Sequence, residues 1–253
     1  MKALEVAYQR VEVETAELMR DLIISHGVPT NSTQAHALAQ ELYLPIMESR
    51  NRMWMREAEA IAKEFPDVEI GDIAPYNMQS TQKLVMNCAG LNKEARSTVL
   101  LEYYDPETQK MRKTRMTPYL DPDDPTIIAA FEKRVHAATA RHIKQASRDL
   151  IEETAYKNGM GWARQLTGKE NCTMCALLAS RGAVYREDTV LTKRDGSRYH
   201  DNCDCTATLV KGGRYEGDDE AQELYGLWLK AGGDMSEFGK LYREAMSFVG
   251  VAA

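Results

Sequence analysis

Two long stretches of helical apolar spacing, residues 33–64 and 126–157, constrain the fold of this chain more than any other feature. At 1.5 Å per residue, each stretch predicts a helix roughly 50 Å long. The second has clear ends, because Asp124 offers an N-cap, Pro125 suits the first helical position, and glycines follow at 159 and 161. Pro45 lies inside the first stretch and is expected to kink that helix or split it in two.

Three shorter helices are predicted at the two ends of the chain. The first covers 3–26, because Gly27 and Pro29 are stop signals and Asn31, Ser32 or Thr33 can cap the next helix. The other two cover about 217–231 and 234–248, with a Gly-Gly pair between them and Asp234 as the cap of the second. The sequence therefore predicts a mainly α fold.

The polar side of the 126–157 helix carries several cations. We expect an exposed face that contains Lys133, Arg134, Arg141, Lys144 and Arg148, together with His136 and His142. Such a stripe could contact phosphate, but interspersed acidic residues favour an ordinary solvated face. The methionine-rich run around Met53, from Ile46 to Met55, is interpreted as buried helix surface, with an adaptable partner-binding face as the alternative.

Residues 66–123 allow two interpretations. A helix over about 78–103 competes with a hairpin over 97–118, which the turn residues 105–108 favour. The basic residues of this region fall on the second strand of that hairpin: Lys110, Arg112, Lys113 and Arg115. They are interpreted as a solvated strand face.

Composition excludes several classes of protein. With 43% hydrophobic and 28% charged residues the chain is an ordinary globular one, and it has no apolar stretch long enough to span a membrane. The N-terminus lacks an apolar signal core, so we expect folding in a reducing cytoplasm. The net charge is −6, from 32 Lys and Arg against 38 Asp and Glu, which weighs against a dedicated nucleic-acid binder.

Four of the five cysteines lie between residues 172 and 205. Cys172 and Cys175 form a C-x-x-C, and His200, Cys203 and Cys205 form an H-x-x-C-x-C. Zinc takes four tetrahedral ligands from thiolate and imidazole groups, and two such knuckles joined by a loop supply them. The sequence therefore predicts one structural zinc held by four of these five residues, and does not choose between Cys203 and Cys205.

Other chemistries compete for the same residues. A disulfide 172–175 or 203–205 would be strained or labile, and would be unusual in a cytosolic chain. A redox C-x-x-C usually opens a helix after a strand, and the H-x-x-C-x-C makes that interpretation redundant. A catalytic zinc would need an open position and a nearby base, for which Glu170 and Asp201 are the candidates. No catalytic residue is predicted, and Cys88 is interpreted as an inert core thiol.

At these motifs the sequence resembles a known family. The segments Trp162-Ala163-Arg164, Cys172 to Tyr185, and Tyr199-His200-Asp201-Asn202-Cys203-Asp204-Cys205 are similar to the phage Mu F-like (MuF) minor head proteins, above all those of actinobacterial tailed phages. The resemblance covers about 162–210. It implies a minor capsid or head morphogenesis protein that binds the portal and neighbouring head proteins in the virion, at the head interior or portal vertex, after synthesis in the host cytoplasm.

Together these observations predict a mainly α fold with a small α+β zinc-stapled module near the C-terminus. The expected domains are a helical arm, 1–123, a long connecting helix, 124–158, a Cys/His metal module, 159–215, and a C-terminal helical pair, 216–253. Function then lies in binding during head assembly, packaging or genome delivery, with contact to packaged DNA left open. The alternatives are a metal-dependent nuclease or transferase, supported by His200, Asp201 and Asp204, and a DNA-binding zinc module.

Overall fold

The computed structural model is mainly helical and describes residues 2–92, 99–116, 121–167, 171–183, 205–213, 215 and 217–249. Its elements follow in the order α1 (Lys2–His26), α2 (Ser32–Glu64), α3 (Met78–Cys88), β1 (Val99–Asp105), β2 (Lys110–Met116), α4 (Pro125–Lys157), β3 (Gly161–Gln165), α5 (Thr173–Ala179), β4 (Thr206–Val210), α6 (Asp218–Lys230) and α7 (Met235–Val249). Both strand pairs, β1–β2 and β3–β4, are antiparallel. The predicted mainly α fold is confirmed, and no helix of the described ranges is long and apolar enough to cross a membrane.

The helix ends lie where the cap residues predict them. The Asn31 side chain accepts a hydrogen bond from the Gln34 N–H at 3.0 Å, at the start of α2. Asp124 Oδ1 accepts from the Thr126 N–H at 2.7 Å, and Asp234 Oδ1 accepts from the Glu237 N–H at 2.8 Å. These side chains satisfy backbone donors that have no partner inside the helix.

Helix α2 passes through Pro45 without ending. Of the two expected effects of this proline, splitting the helix is therefore wrong, and kinking it stays a prediction. Leu42 and Ile46, on either side of the proline, are both fully buried. Their packing holds the helical path although the proline ring removes one backbone hydrogen bond.

Of the two interpretations of the segment after α2, the structure supports the hairpin. The helix predicted over 78–103 is too long, because α3 ends at Cys88 and Gly90 follows with φ +67°. The strands β1 and β2 pair from Val99 opposite Met116 to Asp105 opposite Lys110, which confirms the hairpin. Arg112 pairs with Asp105 at 2.9 Å and is more than half exposed, as a solvated strand face requires.

The chain divides into two compact units. The first contains Met1–Val11, Ser49–Pro75 and Arg141–Ala253, and the second contains Glu12–Glu48 and Tyr76–Ala140. The core of the second unit is formed by apolar side chains of its four helical segments, among them Met19, Ile23, Leu38, Leu42, Leu84, Val85, Phe131 and Val135. The four domains expected from the sequence stay a prediction.

In the first unit, the segment 69–72 lies along the C-terminal end of α4. The Asn158 side chain accepts from the Glu69 N–H at 3.0 Å and donates to the Glu69 carbonyl at 2.8 Å, as a neighbouring strand would. The Gly71 N–H donates to Thr154 Oγ1 at 2.9 Å. A Cβ at Gly71 would stand 2.8 Å from Glu153 Cβ, so only glycine fits this approach.

Candidate functional site

The C-x-x-C motif forms the start of α5. Cys172 is the N-cap of this helix, and its Sγ accepts a hydrogen bond from the Cys175 N–H at 3.3 Å. Cys172 is exposed, whereas Cys175 is buried. The motif therefore places two cysteine side chains in the first turn of one helix.

Cys205 lies directly before β4 and is buried between two arginines. Its carbonyl accepts hydrogen bonds from Arg148 Nε at 3.1 Å and Arg148 Nη2 at 2.7 Å. Arg164, on the neighbouring strand β3, places Nη1 3.9 Å from Cys205 Sγ. Both guanidinium groups are buried, with 1% and 2% of their residue surface exposed. One buried arginine, Arg148, thus binds the backbone of this cysteine, and the other, Arg164, faces its sulfur.

Helix α7 packs against the cysteine knuckle. A Cβ at Gly239 would stand 3.2 Å from Cγ2 of Thr173, the first residue of α5, so the two helices approach closely. Tyr242, almost one turn further along α7, belongs to the same buried cluster as Cys175 and Cys205. Burial, then the charges of Glu220, Cys172 and Cys175, raise the pKa of Tyr242. The tyrosine ring also stacks on Phe238, with ring centroids 6.2 Å apart.

The structure brings together part of the predicted ligand set. Cys175 and Cys205 share one buried cluster, and Cys172 lies at the helix end beside Cys175. His200 and Cys203 lie outside the described residues. Within the described ranges no three His, Cys, Asp or Glu side chains already form a metal-binding group, and Cys172 and Cys175 are not joined by a disulfide. The soft sulfur donors fit zinc, and the remaining ligand or ligands would come from the segment between Gly182 and Cys205.

Three residues of this site were not predicted from the sequence: Arg148, Arg164 and Tyr242. The expectation that Arg148 and Lys144 lie on an exposed face of α4 is wrong, since both are buried. The helical spacing could have indicated the burial of Arg148, because this residue precedes the buried Ile151 by three positions and shares its helix face. Arg164 belongs to the Trp162-Ala163-Arg164 motif of the resemblance, but that motif does not say what the side chain contacts. The roles of Arg164 and Tyr242 depend on packing between distant segments.

A second polar cluster lies in the same unit, where α2 meets α4. Arg50 donates hydrogen bonds to the carbonyls of His142 and Ala74, the latter at 3.4 Å. Glu57 accepts from the Ser147 hydroxyl at 2.8 Å. Burial, followed by the charges of Arg141 and Arg50, lowers the pKa of His142 to about 3. His142 is therefore neutral near pH 7 and adds no charge to a phosphate-binding stripe.

The described residues thus define a mainly helical protein with a cysteine-bearing α+β module. The model of the VG15 protein family matches residues 89–231, a range that includes the whole cysteine module. This match covers more than half of the chain, and the chain belongs to the VG15 protein family.

One curated relative comes from a phage. The chain is 25% identical to the "Gene 15 protein" of Mycobacterium phage D29 over an alignment of 221 residues, which covers 73% of this chain and 77% of that protein. No solved structure matches the chain. These matches support the resemblance to phage proteins found in the sequence.

Proposed function

We propose that this chain is a MuF-like minor capsid protein of a tailed phage, located in the virion, which binds the portal and neighbouring head proteins during head assembly, packaging or genome delivery. The observation that carries the proposal is that a family match and a motif resemblance fall on the same cysteine module. The VG15 family match spans the same cysteine module whose motifs resemble the MuF minor head proteins. A relative encoded by a phage is consistent with both.

The long helices offer apolar side chains for a helical partner. In the methionine-rich run of α2, Ile46 and Met53 are buried, as the sequence favours, and Met47 and Trp54 are half-buried. Met55 remains 55% exposed on the first unit. Leu44, on the second unit, is exposed to a similar extent. Exposed apolar residues on a helix fit docking along another helical protein such as a portal subunit.

We propose that the role of the module is structural and not catalytic. Cys175, Cys205, Arg148 and Arg164 pack in the protein interior, where a substrate has no access. The alternative of a metal-dependent hydrolase depends on His200, Asp201 and Asp204, which lie outside the described residues. No observation on the described residues favours that alternative.

We also propose one structural zinc per chain, held by four of Cys172, Cys175, His200, Cys203 and Cys205. Cys172 and Cys175 lie in the first turn of α5, and Cys175 shares a buried cluster with Cys205, which supports this ligand set. Bound zinc would join the two knuckles and add stability to the module.

The test of the head-protein proposal is co-purification with the portal protein of the same phage. The full chain is co-expressed with that portal, as wild type and as the variants Met55→Glu and Leu44→Glu. Matched controls place the same new charge one helical turn earlier on exposed polar residues, as Asn51→Glu and Gln40→Glu. We expect the wild type and both controls to co-purify with the portal, and at least one of the apolar-site variants to be lost.

The same variants are then tested for incorporation into procapsids. Absence of the wild-type chain from purified virions would contradict the proposal. A wild-type chain that binds neither the portal nor the neighbouring head proteins would also contradict it. Metal-dependent cleavage of DNA by the purified chain would favour the hydrolase.

A further inference from the structure

We propose that the hairpin of β1 and β2 joins two copies of this chain, by antiparallel pairing of β1 with β1 of a second copy. The product is a four-stranded sheet in which the two β1 strands lie at the centre and the two β2 strands lie at the edges. The hairpin belongs to the second unit, and this role depends neither on a metal nor on binding to the portal.

The hairpin has a fixed register and a hydrogen-bonded tip. β1 and β2 pair over their whole length, and Asp105 Oδ1 accepts from the Glu107 N–H at 3.0 Å. Asp105 Oδ2 accepts from the Thr108 hydroxyl at 2.7 Å and pairs with Arg112 Nε at 2.9 Å. Gln109 closes the turn in the left-handed region, with φ +51°. The two strands therefore present defined edges to a partner.

Both faces of the hairpin reach solvent. β1 and β2 pack chiefly on each other, and no third strand joins their sheet in the part of the chain that the structure describes. Tyr104 and Met111 lie opposite each other on one face and are 58% and 62% exposed. Lys110 and Arg112, on the other face, are exposed as well. A two-stranded hairpin without a core beneath it is only marginally stable in water, so pairing with a further strand would stabilise it.

The two edges of the hairpin differ in sequence. β2 reads K-M-R-K-T-R-M, and four of its seven residues are Lys or Arg. Such charges protect an edge strand against pairing with other chains. β1 reads V-L-L-E-Y-Y-D, in which five of seven residues are apolar or aromatic. That composition is typical of a central strand, yet among the described residues β1 has a neighbouring strand on one side alone.

A second copy of this chain is the partner that these two edges favour. Pairing of β1 with β1 across a two-fold axis covers both unprotected edges at once and leaves the two cationic β2 edges outside. A strand added from another protein would instead leave the outer edge of that strand exposed.

The acidic residue within β1 selects the register of this pairing. If the two-fold axis passed through Glu102, two carboxylates would lie opposite each other. If the axis passes through Leu101, Glu102 lies opposite Leu100 of the second copy, and the like charges are separated. The proposed dimer therefore has Leu101 opposite Leu101 at its centre.

The experiment measures self-association of the full chain by sedimentation equilibrium, at concentrations up to roughly 100 μM. The variants Leu101→Lys and Leu101→Glu each place two like charges at the centre of the dimer. Thr114→Lys is the matched control, because Thr114 lies opposite Leu101 on β2 and the same charge is then added to the outer strand. We expect wild type and Thr114→Lys to dimerise, and each Leu101 variant to dimerise at least about tenfold more weakly.

A mixture of Leu101→Lys and Leu101→Glu distinguishes a lost interface from a folding defect. In the mixed dimer opposite charges meet at the centre, so the mixture should associate more strongly than either variant alone. A hairpin that failed to fold would not be rescued in this way.

Three results would overturn the proposal. The first is a wild-type chain that stays monomeric over this range, including one that instead binds duplex DNA in a salt-dependent manner through Lys110 and Arg112. The second is a dimer that neither Leu101 substitution weakens, because the contact would then lie on another surface. The third is a mixture that associates no better than the separate variants.

Discussion

Lowering the pH should destabilise the first unit through His142, the histidine between Arg50 and Arg141. Its pKa is lowered to about 3 in the folded chain, against about 6.5 in an unfolded one. Between these values the unfolded state binds a proton that the folded state does not. A group with a lowered pKa therefore supports stability above pH 6.5, and that support is lost as the pH falls toward the pKa of the folded state.

The magnitude follows from the two proton-binding equilibria. Between pH 7.5 and pH 5.5 the folded state gains almost no proton at His142, whereas the unfolded state goes from mostly neutral to mostly charged. The loss of unfolding free energy in this window is about 1.4 kcal/mol, which corresponds to about 3 to 6 °C in Tm for a chain of this size.

The assay is thermal and urea unfolding of wild type, His142→Gln and His136→Gln at both pH values. The glutamine at 142 cannot titrate, so this variant should lose about 1.4 kcal/mol less than wild type between pH 7.5 and 5.5. His136, which is exposed on the same helix, is the control and should behave as wild type. Other titrating groups are common to all three proteins and cancel in the comparison. An equal pH dependence in wild type and His142→Gln would refute the reasoning.

Two further predictions concern glycines and cysteines. Gly71→Ala should lower the unfolding free energy by about 1–3 kcal/mol because its Cβ meets α4. Gly226→Ala, in the interior of α6 with nothing within 4 Å of the new Cβ, should raise it by about 0.5–1 kcal/mol; urea unfolding measures both. Cys175→Ser should abolish zinc binding and incorporation into heads, whereas Cys88→Ser, a buried thiol of α3, should leave the zinc content unchanged in elemental analysis. Zinc-free wild type, or a Cys175→Ser chain that retains full zinc, would contradict the last prediction.

The helices could be predicted from the sequence because their ends are local events. Asn31, Asp124 and Asp234 cap helices with their side-chain oxygens, which accept hydrogen bonds from backbone N–H groups two or three positions further along the chain. The break after Cys88 and the hairpin that follows could be predicted only as one of two interpretations. The apolar run 99–104 fits a helix or a strand, and only its pairing with residues 110–116 distinguishes them.

The surroundings of the cysteines could not be predicted, because they are assembled from distant segments. Arg148 was expected on a solvated face, since arginine is rarely buried without partners. The carbonyl of Cys205, 57 positions away, is one such partner, and no local pattern records it. Strand β3 was likewise missed, because a five-residue strand after Gly161 becomes recognisable only when β4 pairs with it.

The packing of α6 and α7 lowers the share of stability that the module would need from a metal. From the sequence alone, a module of about 50 residues has too little core to fold and depends on zinc for much of its stability. In the structure, Cys175 and Cys205 instead share a buried apolar cluster with Leu224, Phe238 and Tyr242 of the C-terminal helices. This apolar core packs α5 against α6 and α7 by burial, so a bound zinc would add stability to a module that already has a core of its own.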